Sequence, residues 1–228
     1  VYSKVWDSVG ENEIGESKIE TGYGSTHSHM TVDFLTDTEC REAVTQAEPR
    51  LLVHFNNETE GMFRSDICRI ADLYLRGGYY MDNDMRAMEA VMLPDNIIFS
   101  TVLEKNEQNF FQSFLASTPR NPILRKAMEV MLGHYEGTHN IRRQGRVYSG
   151  MGTATLKDAF DLAIREDPSL GEKSRFLREI NLRENPTLYT EVERQGIRPM
   201  CDIVDHYAEP HQAYFYSRAI DTSKCPGR

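Results

Sequence analysis

Residues Phe63–Met85, FRSDICRIADLYLRGGYYMDNDM, decide how the rest of the chain is read. Ile67, Ile70, Ala71 and Tyr74 recur at three- and four-residue spacing, which predicts a helix with one buried stripe, and Asp66 and Arg69 fall one turn apart beside it. That spacing lets the pair face a cleft together. Gly77 ends the helix, because the position just past a helix end favours the left-handed conformation that glycine adopts without cost, and Gly78 lets the chain reverse. Tyr79, Tyr80 and Met81 are too few for a helix and predict a short strand buried on both faces. Asp82, Asn83 and Asp84 then arrive at its carboxyl end, the edge at which open α/β sheets bind ligands.

The acidic triplet has its own electrostatics. Two carboxylates one residue apart at the mouth of a buried strand repel each other unless a cation lies between them or water screens them. Oxygen ligands of this kind favour Mg²⁺, Mn²⁺ or Ca²⁺ over zinc. A calcium loop of the EF-hand type would need an acid or amide at Arg86 and a glycine at Ala87, and neither is there. The other reading of an Asp-x-Asp after a strand is a solvated turn.

With these residues in view, the stretch resembles the sugar-donor site of the DXD-containing glycosyltransferases, specifically glycosyltransferase family thirty-two. That family includes fungal Golgi α-mannosyltransferases and is distantly similar to the glucosylating domains of the large clostridial toxins. The resemblance is carried by Asp66, Arg69, Leu73 with Tyr74, Gly77 with Gly78, Tyr80, and Asp82 with Asp84. It implies that Asp82 and Asp84 hold Mn²⁺ or Mg²⁺ on the diphosphate of a UDP- or GDP-linked sugar, that Tyr80 belongs to the cofactor site, and that Asp66 and Arg69 contact the donor sugar as the catalytic pair. It also implies a GT-A-like fold and transfer with retention. Members of the family begin with an isoleucine-rich strand followed by a tryptophan-bearing segment of the nucleotide site. No such strand is found here, and Trp6 is either that tryptophan or a packing anchor. The segment around Asn109, Ser117 and Pro122 weakly resembles the one that brings an asparagine toward the donor. YSGMGTAT (148–155) resembles a Thr-Gly-Pro turn before a helix, without the proline; its glycine-rich turn could also offer N–H groups to an anion.

Elsewhere the pattern alternates helix and strand. Residues 1 to 30 read as an irregular lead-in. His29–Leu35 predicts a strand, followed by a helix over Arg41–Ala47 with Thr38 as its cap. LLVHF (51–55) is a short apolar run with His54 as a core histidine, and the resulting αβαβ order supports an α/β layer fold. IIFSTVL (97–103) suits a strand and Ile123–Leu132 an amphipathic helix, with Met128 and Met131 as core filler. Leu156–Ile164 continues as helix, and the charged run Asp167–Glu193 reads as a solvated face. Met200–Ile220 reads as a hairpin whose turn is flanked by His206 and His211, of which His206 is a candidate to complete a metal shell.

The chain has 228 residues, a formal net charge of −9 and a pI near 5.3, enough for one substantial core and contrary to what a nucleic-acid binder needs. No apolar run is long enough to span a membrane, and the start at Val1 suggests a fragment or a luminal domain cut from a longer precursor that could carry an anchor. Cys40, Cys68, Cys201 and Cys225 lack zinc-site spacing. Cys68 reads as a small buried apolar residue, and a Cys201–Cys225 bridge would staple the hairpin. Asn57–Glu58–Thr59 is an N-glycosylation sequon, which with the even cysteine count favours a Golgi or secretory lumen.

These readings predict one α/β domain over residues 1–228, GT-A-like, possibly truncated at the N-terminus, with a mixed central sheet, helices on both faces and a C-terminal hairpin. Its expected activity is metal-dependent transfer of a hexose from a nucleotide-sugar to a glycan, glycolipid or other hydroxyl acceptor. The alternative is an inactive nucleotide-sugar- or glycan-binding module of the same fold.

Overall fold

The computed structural model describes residues 3–8, 30–82, 85–87, 91, 93–104, 107–139, 142–143, 146–147, 152–180, 202–205 and 213–217. It is a mixed α/β fold. Its centre is a four-stranded mixed sheet in the order β3 (Gly78–Met81), β6 (Phe110–Ser117), β5 (Phe99–Leu103), β9 (Ser174–Ile180). β6 runs antiparallel to both of its neighbours, whereas β5 and β9 are parallel. β1 (Ser3–Ser8) and β2 (Met30–Leu35) extend the sheet beyond β3; β10 (Asp202–Asp205), β11 (Ala213–Ser217) and β4 (Met85–Ala87) extend it beyond β9. β10 pairs antiparallel with β11, and residues 206–212 between them lie outside the described residues, as do His206 and His211. Two short strands, β7 (Arg142–Arg143) and β8 (Arg146–Val147), pair separately.

Alternation along the central strands divides the interior in two. Tyr80, Phe99, Phe110 and Leu115 point into a large core with α1 (Asp37–Ala47), α2 (Leu51–Asn57), α3 (Gly61–Arg76), α4 (Pro122–Tyr135), α5 (Thr153–Glu166) and the single turn α6 (Ser169–Glu172). Met81, Val102, Phe114, Ala116 and Leu177 point the other way, into a smaller cluster with Met85, Val91 and Leu93. Among the described residues the helices thus cover one face, not both. Phe110 is the hub of the large core, edge-on to Phe160 at 5.5 Å and stacked with Phe176 at 5.1 Å.

Several local readings change. LLVHF belongs to helix α2, with Leu51 and Phe55 buried one turn apart and His54 only half-buried, stacked on Tyr135 at 4.7 Å. α1 starts earlier than expected: Thr36, not Thr38, is the cap, in a capping box with Glu39. The lead-in contains β1, and the charged run after Asp167 contains α6 and β9, whose Leu177 is fully buried. Cys68 is not a free buried thiol but is bonded to Cys40, which ties α1 to α3. Cys201 and Cys225 lie outside the described residues.

The helix–glycine–strand reading stands. α3 ends at Arg76, and Gly77 comes next with φ 71°, in a space where a Cβ would sit 2.6 Å from Pro119 and 2.9 Å from the Ser117 carbonyl. Both backbone conformation and room therefore require glycine there. β3 is buried as predicted at Tyr80 and Met81 and half-buried at Tyr79. Its neighbours β1 and β6, however, both run antiparallel to it, so the parallel-edge argument for ligand binding at its end does not apply.

Candidate functional site

α3 and β3 bring Asp66, Arg69, Tyr80 and Asp82 together. Arg69 is the centre. Its Nη2 lies 3.5 Å from Asp66 Oδ1, its Nη1 lies 3.5 Å from Asp82 Oδ1, and its guanidinium carbon stands 4.5 Å over the Tyr80 ring. The Tyr80 hydroxyl donates to Asp82 Oδ1 at 2.5 Å. Asp84 and Asn83 lie outside the described residues, so the expected pair of metal-binding carboxylates is represented by Asp82.

The guanidinium is also braced from the backbone. Its Nε donates to the Ser65 carbonyl at 3.2 Å, Nη2 to Ser65 Oγ at 2.8 Å and Nη1 to the Gln112 carbonyl at 2.6 Å. The last contact exists because β6 bulges: Thr101 pairs with Leu115 but Val102 with Phe111, so Gln112, Ser113 and Phe114 fall between two successive register positions of β5. Their carbonyls go instead to Arg69, to the Asp82 N–H at 2.8 Å and to the Thr101 hydroxyl at 3.0 Å. The bulge thus anchors both the cation and the first residue of the acidic triplet.

Burial sets the protonation states. Asp66 is 7% exposed, and desolvation pushes its carboxyl up to about 6, with Arg69 opposing and Asp82 adding to the rise. Burial works against the Arg69 charge as well, but Tyr80, Asp66 and Asp82 around it outweigh that and hold the guanidinium above its ordinary value. Burial raises the Tyr80 phenol, which therefore keeps its proton and remains a donor to Asp82. Two carboxylates share one guanidinium, so with both ionised the cluster carries an excess negative charge.

Both carboxylates of this cluster keep hydrogen-bonding capacity among the described residues. No hydrogen bond reaches the Asp66 carboxylate among the described residues, and the Asp82 side chain is 29% exposed with only Oδ1 engaged there. Beside Asp66 stands the start of α5. Gly152, at φ 132°, caps that helix without a side-chain bond, and its Cβ position lies 4.0 Å from Asp66 Oδ2. The Gln112 amide donates to the Gly152 carbonyl at 2.9 Å, while Gln112 Oε1 is buried with no partner among the described residues. Of the glycine-rich turn expected before α5, residues 148–151 lie outside the described residues.

No protein-family model and no curated protein matches this chain.

The sequence brought Asp66, Arg69, Tyr80 and Asp82 to one place, but it did not indicate that Asp66 and Arg69 would be enclosed and not lining an open cleft. Ser65 and Gln112 were missed. Ser65 lies one turn before Arg69, and Gln112-Ser113 is a polar pair inside an otherwise apolar strand, a signature of the bulge that gives them their role. As to a metal, no group of three or more His, Cys, Asp or Glu side chains could hold one among the described residues. Asp82 offers one carboxylate, suited in chemistry to Mn²⁺ or Mg²⁺.

Proposed function

We propose that the chain is a metal-dependent glycosyltransferase of GT-A architecture, moving a hexose from a UDP- or GDP-sugar to a hydroxyl of a glycan or glycolipid with retention, in a Golgi or secretory lumen. One observation carries this reading. Four of the residues through which the sequence resembles family thirty-two, Asp66, Arg69, Tyr80 and Asp82, meet in a cluster with two carboxylates on one guanidinium; among the described residues Asp66 accepts no hydrogen bond, and Asp82 is partly open to solvent.

Asp82, with Asp84, would hold Mn²⁺ or Mg²⁺. When bound, that ion neutralises charge on a departing diphosphate. Asp66 accepts hydrogen bonds from donor-sugar hydroxyls, since its oxygens have none from the described protein. Arg69 spends its donors on Ser65, Gln112 and the two carboxylates, so it orients those carboxylates for the donor. Tyr80, fully enclosed, serves the cofactor site by fixing Asp82 Oδ1. The engagement of Arg69 within the protein also favours a second reading, a nucleotide-sugar- or glycan-binding module without turnover.

Incubation with UDP- and GDP-hexoses and Mn²⁺ separates the two. A transferase releases nucleoside diphosphate, and Asp82→Asn should cut that release by about 100-fold or more, the scale of losing a principal electrostatic contact to the transition state. Nucleotide-sugar binding without release from any donor would leave the module.

A further inference from the structure

The sequon Asn57–Glu58–Thr59 runs from the end of α2 into the connection to α3. Asn57 closes α2 and is exposed, Glu58 is half-buried, and Thr59 is exposed. Both Glu58 oxygens are engaged: Oε2 accepts from the half-buried Tyr135 hydroxyl at 2.7 Å, and Oε1 from the Glu60 N–H at 3.0 Å in a local, exposed turn. With the middle residue pinned, the two residues that define the sequon are turned out. No hydrogen bond engages the Asn57 carboxamide among the described residues, whereas its neighbour Asn56 accepts from Arg41 Nε at 3.1 Å.

The surface beside Asn57 is unusual in a second way. Val53, one helical turn earlier and so on the same face, is 56% exposed, and Met62, just beyond the connection, is 65% exposed. These are two of the three large exposed hydrophobic side chains found among the described residues. The third observation is covalent. Cys40 and Cys68 are joined, and both are fully buried, a bond characteristic of an oxidising compartment, where sequons meet their modifying enzyme.

We propose that Asn57 carries an N-linked glycan whose first sugars lie over Val53 and Met62. The co-reactant is the host's lipid-diphosphate-linked oligosaccharide. Asn57 Nδ2 attacks C1 of its first N-acetylglucosamine, the N–C1 bond forms as the C1–O bond to phosphate breaks, and the lipid diphosphate leaves with the electron pair. One Nδ2 proton passes to a base of the host transferase, and nothing is oxidised or reduced. The inference rests on the exposed sequon, the exposed Val53 one turn before it and Met62 just beyond the connection, and the disulfide, and is independent of the transferase activity proposed above.

The test expresses the full chain behind a secretory signal in a eukaryotic cell. A single mobility step should be removed by a peptide-N-glycan amidase, which leaves Asp at position 57, and the step should be absent from both Asn57→Gln and Thr59→Ala. The glycosylated chain should also elute earlier than the Asn57→Gln chain from a hydrophobic-interaction column, and that difference should vanish when Val53→Ser and Met62→Ser are added to both. A secreted chain whose Cys40–Cys68 bond is formed but whose Asn57 peptide is unmodified would overturn the proposal. So would a mobility step that survives Asn57→Gln. An elution difference unaffected by the two serine substitutions would overturn the placement of the sugars.

Discussion

Asp66 is a buried carboxylate, and its pH dependence comes first from that burial, with Arg69 opposing. Its native pKa of about 6 stands above the ordinary 3.8, so between these values the folded state binds more protons than the unfolded state. Stability therefore falls as pH rises through that window, and the full cost of the ionised side chain is present above about pH 6. The displacement corresponds to about 3 kcal/mol. Asp66→Asn lacks this titration, so the stability of the variant relative to wild type should rise by about that amount between roughly pH 4 and pH 7, as read by urea unfolding. Parallel profiles would mean that Asp66 is far better solvated than its surroundings indicate. The pairing of Asp66 with Arg69 was legible as two residues one turn apart. Their enclosure was not, because it is made by Gln112 and Gly152, residues from distant segments whose arrival depends on a bulge and a helix start.

Gly77 and Gly137 separate two costs at helix ends. Both have positive φ, 71° and 70°, but a Cβ at Gly77 would strike Pro119 and the Ser117 carbonyl, whereas nothing lies within 4 Å of one at Gly137. Gly137→Ala should lose only the conformational advantage, about 1 kcal/mol, and Gly77→Ala should lose clearly more, because Pro119 and Ser117 must shift at the junction that delivers β3 to the site. Equal losses in chemical denaturation would show that this junction yields easily. Gly77 was legible because its signal is local: an amphipathic stripe, then glycine, then aromatics. LLVHF was not, since four or five apolar residues satisfy a buried strand and a helix equally, and contacts with α1, α3 and α4 decide for the helix. β9 hid for the opposite reason. Within SRFLREI, Leu177 is fully buried while its described neighbours are only half-buried and largely charged, which gave the composition of a surface, and pairing with β5 is a long-range fact. The Cys40–Cys68 bond is likewise a consequence of packing α1 on α3, which four cysteines in a sequence leave among several pairings.

Across the chain, period-two strands, amphipathic helices and glycine breaks were enough to predict a mixed α/β fold, yet not the direction of β3's neighbours, because strand pairing is set by segments far apart in sequence. That matters for function: the site cannot be argued from a parallel sheet edge and must rest on its own charges. The protein carries a net charge of −9, and the cluster at Arg69 adds a local excess of carboxylate, so a nucleotide diphosphate would meet repulsion there unless a cation accompanied it. Nucleotide and Mn²⁺ should therefore stabilise the whole molecule together and not separately. At about a hundred times its dissociation constant, a ligand adds about 2.7 kcal/mol. For a domain of this size that raises the melting temperature by about 5 to 10 °C. UDP- or GDP-sugar with Mn²⁺ should produce this shift, nucleotide-sugar with a chelator should not, and Asp82→Asn should abolish it while keeping the cooperative melt of the folded chain. A melting temperature unmoved by every donor with Mn²⁺, in a protein that melts cooperatively, would show that the triplet is a solvated turn and that Arg69 is only a strut between α3 and β6.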